Sequence, residues 1–408
     1  MEAIVKLKPL TPIWTGDAGR KCRMIRETGI IGSLRWWYEA LIRGLGGEAC
    51  DPTKSKCNGQ SRCGVCELFG CTGWARRFKL DVREVKKDFA PFFIVKPNSS
   101  KRASFLGYYD KSGQSWEKNG GLLGEYELRI TAKDEAILNT IKFLLKLSCD
   151  WGIGSGTQRG FGISLIDNDL QLQKPDIRIE QLNNPSSNLP RMDQFFFYKI
   201  PIVNIEALDL IIKEICEGLY ITKKSPLSSF DFARYNYLPT APWVRRAIRE
   251  LFRDNDVLRH YLMGFISDGN TKPIHLSCWR HLIEKKDKEK NKTYYVCPKC
   301  RKKRVHDENM LKKTGSKIFV SHIYNKNAFK GNVEPEWEMK VWGWIPDLPS
   351  GIGENRQRVK NKLQENLKEE DFWKSCFGIE ENPVDINGIE EVWDVDIEKL
   401  LTNGGEVL

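Results

Sequence analysis

Tyr126–Leu172 reads YELRITAKDEAILNTIKFLLKLSCDWGIGSGTQRGFGISLIDNDLQL. Tyr126, Leu128 and Ile130 alternate with Glu127, Arg129 and Thr131, which is the period of a half-buried strand. Thr131 and Asp134 then stand in a capping-box pattern. Ile137, Ile141, Leu144, Leu145 and Ser148 recur on one helical face. Gly152, Gly154, Gly156, Gly160 and Gly162 end that helix, and Phe161–Leu172 returns as a strand. Upstream, Ala3–Lys8 reads as a strand. Ser33 is placed to cap a helix through Arg43, with Leu34, Trp37, Tyr38 and Leu41 on its apolar stripe. Phe78, Leu80 and Val82 give one more strand. The resulting order, β-α-β-β-α-β, is the ferredoxin-like arrangement.

The order recurs downstream. Gln194–Val203 predicts a strand, and Ile205, Leu208, Ile211, Ile212 and Ile215 a helix. Ile318–Ile323 and Glu338–Trp344 predict strands, Asn355–Leu367 a helix and Glu390–Val395 a last strand. An insertion of about residues 220–315, with a helix at Pro242–Phe252, splits the repeat. The turn-rich stretch Asn183–Pro190 is the expected linker. The reading is an α+β chain of tandem ferredoxin-like domains, 1–185 and 191–408, each with its own core.

The 408 residues carry a net charge of +11 with 40% hydrophobic content, which suits a globular protein with an anionic partner. The charge is uneven. Residues 285–313 hold twelve Lys/Arg against four Asp/Glu, and residues 380–408 nine Asp/Glu against one Lys. That asymmetry suggests one face for a polyanion and another for a basic protein partner. No run is apolar enough for a membrane span, and the start lacks a signal-peptide pattern, so a cytoplasmic protein is expected. Its twelve cysteines then read as thiols or metal ligands.

A glycine-rich loop lets backbone amides crowd an anion. The spacing here fits neither the P-loop nor the dinucleotide fingerprint, which leaves a polynucleotide. Gly154, Gly156, Arg159 and Gly160 are the loop's candidate RNA contacts. A second basic cluster, Arg20, Lys21, Arg23 and Arg26, precedes Ser33 and Arg35 at an expected helix start, where orphan amides favour phosphate. Trp74, beside Arg76 and Arg77, is a candidate platform for an unpaired base, while Trp37 falls on the core stripe. Trp36 and Trp151 also lie near these basic segments.

Two cysteine groups have zinc-like spacing. Cys278, His281, Cys297 and Cys300 form the sharper set, because the Lys/Glu-rich segment between them has no core of its own. Cys57, Cys63, Cys66 and Cys71 form the second, with Cys50 nearby. A structural zinc is the one cofactor expected. No nucleophile elbow or metalloprotease motif is present. All five histidines lie between 260 and 322, and His275 or His322 could act as acid/base groups in an RNA-cleaving alternative.

Four segments carry a family resemblance: Thr11–Gly16 (TPIWTG), Glu27–Glu39 (ETGIIGSLRWWYE), Cys66–Arg77 (CELFGCTGWARR) and the glycine loop. The chain resembles the RAMP proteins of CRISPR systems, and among them the first RAMP subunit of the type III-B Cmr effector complex. The resemblance implies tandem ferredoxin-like, RRM-like domains that bind guide (crRNA) or target RNA in an antiviral ribonucleoprotein. It also implies that RNA cleavage and nucleotide chemistry belong to other subunits. It marks Gly32, Ser33 and Arg35 at the helix start, and Gly154, Gly156, Arg159, Gly160 and Gly162 in the loop. The expected function is therefore a non-catalytic RNA-binding subunit. An endoribonuclease processing CRISPR transcripts and a zinc-stabilised assembly scaffold are the alternatives.

Overall fold

The computed structural model describes residues 1–17, 21–51, 57–97, 104–107, 120–166, 172–175, 177, 189–202, 205–222, 225–226, 232–267, 272–287, 292–304 and 309–408. Most of the expected linker and Arg20 lie outside these residues.

The first half runs β1 (Glu2–Pro9), α1 (Glu27–Gly44), β2 (Phe78–Phe89), β3 (Leu122–Ala132), α2 (Glu135–Trp151) and β4 (Ser164–Ile166). The strands lie in the order β2-β3-β1-β4 and every pairing is antiparallel. The second half runs β5 (Phe195–Ile202), α3 (Ile205–Gly218), β6 (Ile318–Val320), β7 (Ile323–Asn325), β8 (Trp337–Trp344), α4 (Arg356–Leu367) and β9 (Glu390–Trp393). Its sheet has the order β7-β8-β5-β9, again antiparallel. Tyr237–Leu238 pairs outside β7, and β6 pairs with β8. With β6 and β7 taken as two pieces of one second strand, both halves place second strand, third, first and fourth side by side.

Several expected boundaries shift for local reasons. α1 begins at Glu27, two turns before Ser33, because Thr15 Oγ1 accepts the Arg26 amide at 2.8 Å and turns the chain into the helix there. Ser33 is therefore mid-helix and caps nothing. The cap of α2 is Asp134, whose side chain accepts from the Ile137 amide, so Thr131 stays in β3. The expected strand at Phe161–Leu172 forms over Ser164–Ile166; Gly162 and Ile163 before it pair with the 10–12 segment, and residues 167–171 lie outside the described residues. The expected strand 318–323 breaks at Ser321–His322. There the Ser321 amide donates to Lys340 O and the His322 amide bends out to Gly160 O.

The expectation of separate cores is corrected by β5. Phe195 and Phe197 pack into one cluster with α1, α2 and the first sheet, whereas Phe196, Tyr198 and Ile200 pack into the other. In β8, Trp342 and Trp344 join the first cluster, and Met339 and Val341 the second. Side chains of a strand alternate between faces, so the second sheet has apolar cover on both sides. The C-terminal segment closes the first cluster with Val395, Ile397, Leu400 and Leu401. Some of its acidic charge is used internally: Asp394 meets Lys360 at 3.0 Å and Glu391 meets Lys368 at 2.6 Å. No helix among the described residues is long and apolar enough to cross a membrane.

Candidate nucleic-acid interface

Where α1, the glycine loop and the second sheet meet, they leave a cleft of about 570 Å³. It is lined by Trp14, Trp36, Trp37, Trp151, Trp342, Trp344 and Phe319, with Gly29, Gly32, Ser33, Gly154 and Thr157. The aromatic rings hold one another. Trp36 meets Trp37 edge to face at 4.9 Å, Trp344 at 5.8 Å and Phe195 at 5.9 Å. Trp37 is 1% exposed and donates Nε1 to Gly152 O, so it is core, as its stripe position predicts. Trp36 and Trp14 keep part of their surface open. Beneath Trp151 lies Lys340, whose Nζ donates to Asp150 O at 3.0 Å and sits 4.7 Å from the ring. Burial lowers the pKa of this lysine.

The glycine loop is clipped onto its surroundings, which corrects the expectation that its amides are free for phosphate. The Gly154 amide donates to Ser33 Oγ at 2.8 Å, and the Ser155 amide to Trp14 O at 2.8 Å. Arg159, Gly160, Phe161 and Gly162 also donate to backbone carbonyls. Gly154 has φ +79°, and a Cβ there would lie 2.7 Å from Trp14 O. Gly160 has φ +98°, and its Cβ would lie 2.5 Å from His322 Nδ1. These two glycines are required by close packing. The amides of Gly156, Thr157 and Gln158 donate to nothing among the described residues. They are what the loop offers an anion.

Residues 6–164 match the model of the RAMP superfamily. This part of the chain is similar to RAMP proteins. No curated protein matches the chain. Among solved structures it is similar to Cmr1 from Pyrococcus furiosus in its apo form, at 11% identity and TM-score 0.39, over 96% of this chain and 99% of that one. It is also similar to a chain of the type III-B Cmr-beta complex bound to cognate target RNA and AMPPnP in the presence of ssDNA. That likeness has 14% identity and TM-score 0.40, over 89% and 97% of the two chains.

Within residues 6–164 the basic candidates divide. Arg35 is already committed: Nε donates to Glu39 at 2.9 Å, Nη1 to Gly70 O at 3.1 Å and Nη2 to Cys66 Sγ at 3.2 Å. Its expected role as a phosphate contact is corrected to one inside the fold. Trp74 has its ring covered by the Arg62 guanidinium at 3.5 Å, and its Nε1 donates to Glu67 O, so it is not an open platform. Arg77 pairs with Glu67, and Arg76 donates Nε to Phe78 O while staying exposed. Arg23 and Arg26 are exposed and Lys21 is half-buried, while Arg159, also exposed, donates Nη1 to Gly107 O at 3.4 Å. Arg26 adjoins the cleft through the bond of its amide to Thr15, a lining residue.

Neither the metal set of residues 6–164 nor that of the insertion assembles as the spacing predicts. Cys50, Cys57, Cys63 and Cys66 bring their Sγ atoms within 4.8 Å of one another. Cys71 is replaced by Cys50. Gly70, at φ +85°, turns the chain away, and Cys71 closes a tight turn with Trp74. Arg43 meanwhile draws Cys50 in by donating to Ala49 O and Cys50 O. In the insertion, Cys278, Cys297 and Cys300 converge without His281. The His281 ring pairs instead with His260 Nδ1 at 3.0 Å and Lys272 O at 2.7 Å.

The two histidines considered for acid/base work are both interior. His275 is 1% exposed with Nδ1 2.6 Å from Ser277 Oγ, and His322 is fully buried with Nδ1 accepting the Ala241 amide. Burial lowers the His322 pKa to about 3. Burial, with the Arg249, His281 and Arg259 charges, lowers that of His260 to about 4. Both are neutral when folded and titrate near 6.5 when unfolded. Their contribution is complete above pH 6.5 and is lost as the pH falls toward the folded values, where the unfolded chain binds more protons. Stability is expected to drop by about 1.4 kcal/mol per pH unit for each histidine below pH 6.5. Urea midpoints at pH 7, 6 and 5 measure this, and His322→Asn is expected to reduce the slope. A flat profile contradicts the burial of both rings.

Proposed function

We propose that this protein is a non-catalytic RNA-binding subunit of a type III-B CRISPR Cmr ribonucleoprotein, built from two ferredoxin-like units. Unpaired nucleotides of the guide or target strand enter the tryptophan-lined cleft. The RAMP match over residues 6–164 and the matching strand order of the two sheets support this reading. The aromatic lining suits bases of any sequence, since each has a face to stack. The amides of Gly156–Gln158 and the exposed Arg26 and Arg159 suit the backbone charge. The interior positions of His275 and His322 favour binding over cleavage.

Gly32 carries the reading. It is exposed inside α1, where glycine costs about 1 kcal/mol relative to alanine. A Cβ there would meet nothing within 4 Å among the described residues, so no packing among them explains it. Gly32 lines the cleft, and the open space suits a ligand brought close to the helix backbone.

Single-stranded RNA titrations test the proposal. Trp36→Ala is expected to weaken binding by about 1–3 kcal/mol, the value of one stacked base. Arg159→Ala is expected to flatten the salt dependence by about 0.7 in log–log slope, one phosphate contact on a single strand. Wild-type isotherms for both variants contradict the cleft as the binding site. A discrete cleavage product from labelled repeat RNA contradicts the non-catalytic assignment.

A further inference from the structure

We infer that Cys50, Cys57, Cys63 and Cys66 form a tetrathiolate zinc site, with Arg35 as its outer-shell donor. The four Sγ atoms lie within 4.8 Å of one another, and those of Cys50 and Cys66 are 3.5 Å apart. A tetrahedral zinc with bonds of about 2.3 Å separates its sulfurs by about 3.8 Å. A disulfide would need about 2.05 Å. The ligands come from two places in the chain: Cys50 follows α1, while Cys63 caps the short helix Gly64–Phe69 and Cys66 lies in its first turn.

Hydrogen-bond donors point at these sulfurs. Arg35 Nη2 reaches Cys66 Sγ at 3.2 Å and Cys50 Sγ at 3.8 Å, and the Cys63 amide reaches Cys57 Sγ at 3.4 Å. That is the arrangement metal-bound thiolates need. Four thiolates around a dication leave two negative charges, and N–H donors with a guanidinium offset them. Arg35 is a positioning residue here. Its other arms hold Glu39 and Gly70 O, so the metal fastens the segment from Cys57 to Arg77 onto α1. On the same helix, Gly32, Ser33 and Trp36 line the cleft. The site stands independently of the RNA reading.

The experiment is metal analysis with sulfur-edge and zinc-edge absorption on the full chain, purified without chelator. Cys297→Ser removes the insertion's thiol group from the count. That variant is expected to keep about one zinc per chain with four sulfurs at about 2.3 Å. In the same background Cys50→Ser is expected to lose most of that zinc, and Cys71→Ser to keep it. Arg35→Ala is expected to lower zinc affinity about 10- to 100-fold in a chelator competition, with Arg35→Lys recovering part of it. Less than about half an equivalent of zinc in Cys297→Ser, or a shell containing nitrogen or oxygen, overturns the assignment. So does zinc that survives Cys50→Ser but not Cys71→Ser. The Cys297→Ser absorption spectrum decides the sulfur count even where Cys50→Ser or Cys71→Ser fails to fold.

Discussion

Gly160→Ala is expected to cost about 2–6 kcal/mol of folding free energy. Two effects add. The residue has φ +98°, where a side chain brings about 1–3 kcal/mol of backbone strain. The new Cβ would also lie 2.5 Å from His322 Nδ1 and 2.7 Å from Ala241 Cβ. Overpacking of that kind costs about 1–3 kcal/mol. Neither neighbour is a flexible chain end. His322 stacks on Tyr237 at 5.4 Å, its Nδ1 accepts the Ala241 amide, and its own amide donates to Gly160 O. Total stabilities of about 5–15 kcal/mol make this a large fraction. Urea denaturation reads it as a lower midpoint at unchanged slope. Gly64→Ala, which meets nothing within 4 Å among the described residues, is the control and is expected to be close to neutral. A loss under about 1 kcal/mol at Gly160 contradicts the clipped loop.

Gly32 is expected to behave in the opposite way. Gly32→Ala stabilises α1 by about 0.5–1 kcal/mol, because the helix gains propensity and the methyl meets open space. Gly32→Phe places a ring in the cleft and is expected to weaken single-stranded RNA binding about tenfold or more while the chain stays folded. A gain in stability joined to a loss of binding is the signature of a position kept small for a ligand. Unchanged RNA affinity in Gly32→Phe, with folding intact, removes the reason given for this glycine.

The parts of the fold visible in the sequence are those governed by local periodicity. β3 and α2 follow from alternation and a helical stripe, with Asp134 displacing Thr131 as the cap. The strands at Phe195–Ile202, Trp337–Trp344 and Glu390–Trp393 were legible for the same reason. The cleft was not. Trp14, Phe319, Trp342 and Trp344 come from segments about 300 residues apart, and only packing of β8 against α1 and the loop brings them together. One signal was present: the unbroken apolar start of β5, Phe195–Tyr198, marks a strand covered on both faces and hence contact between the halves. Arg35 and Cys71 misled for a shared reason. Charge and spacing record which groups are available, whereas the turn at Gly70 decides which of them meet.

The most direct test of the cleft is photo-cross-linking of 4-thiouridine-substituted guide and target RNA in the assembled ribonucleoprotein, with adducts located by peptide mass spectrometry. The account predicts adducts in peptides carrying Trp14, Trp36 or Thr157, reduced by Gly32→Phe. Adducts confined to the basic ribbon at residues 292–304, unaffected by Gly32→Phe, contradict it.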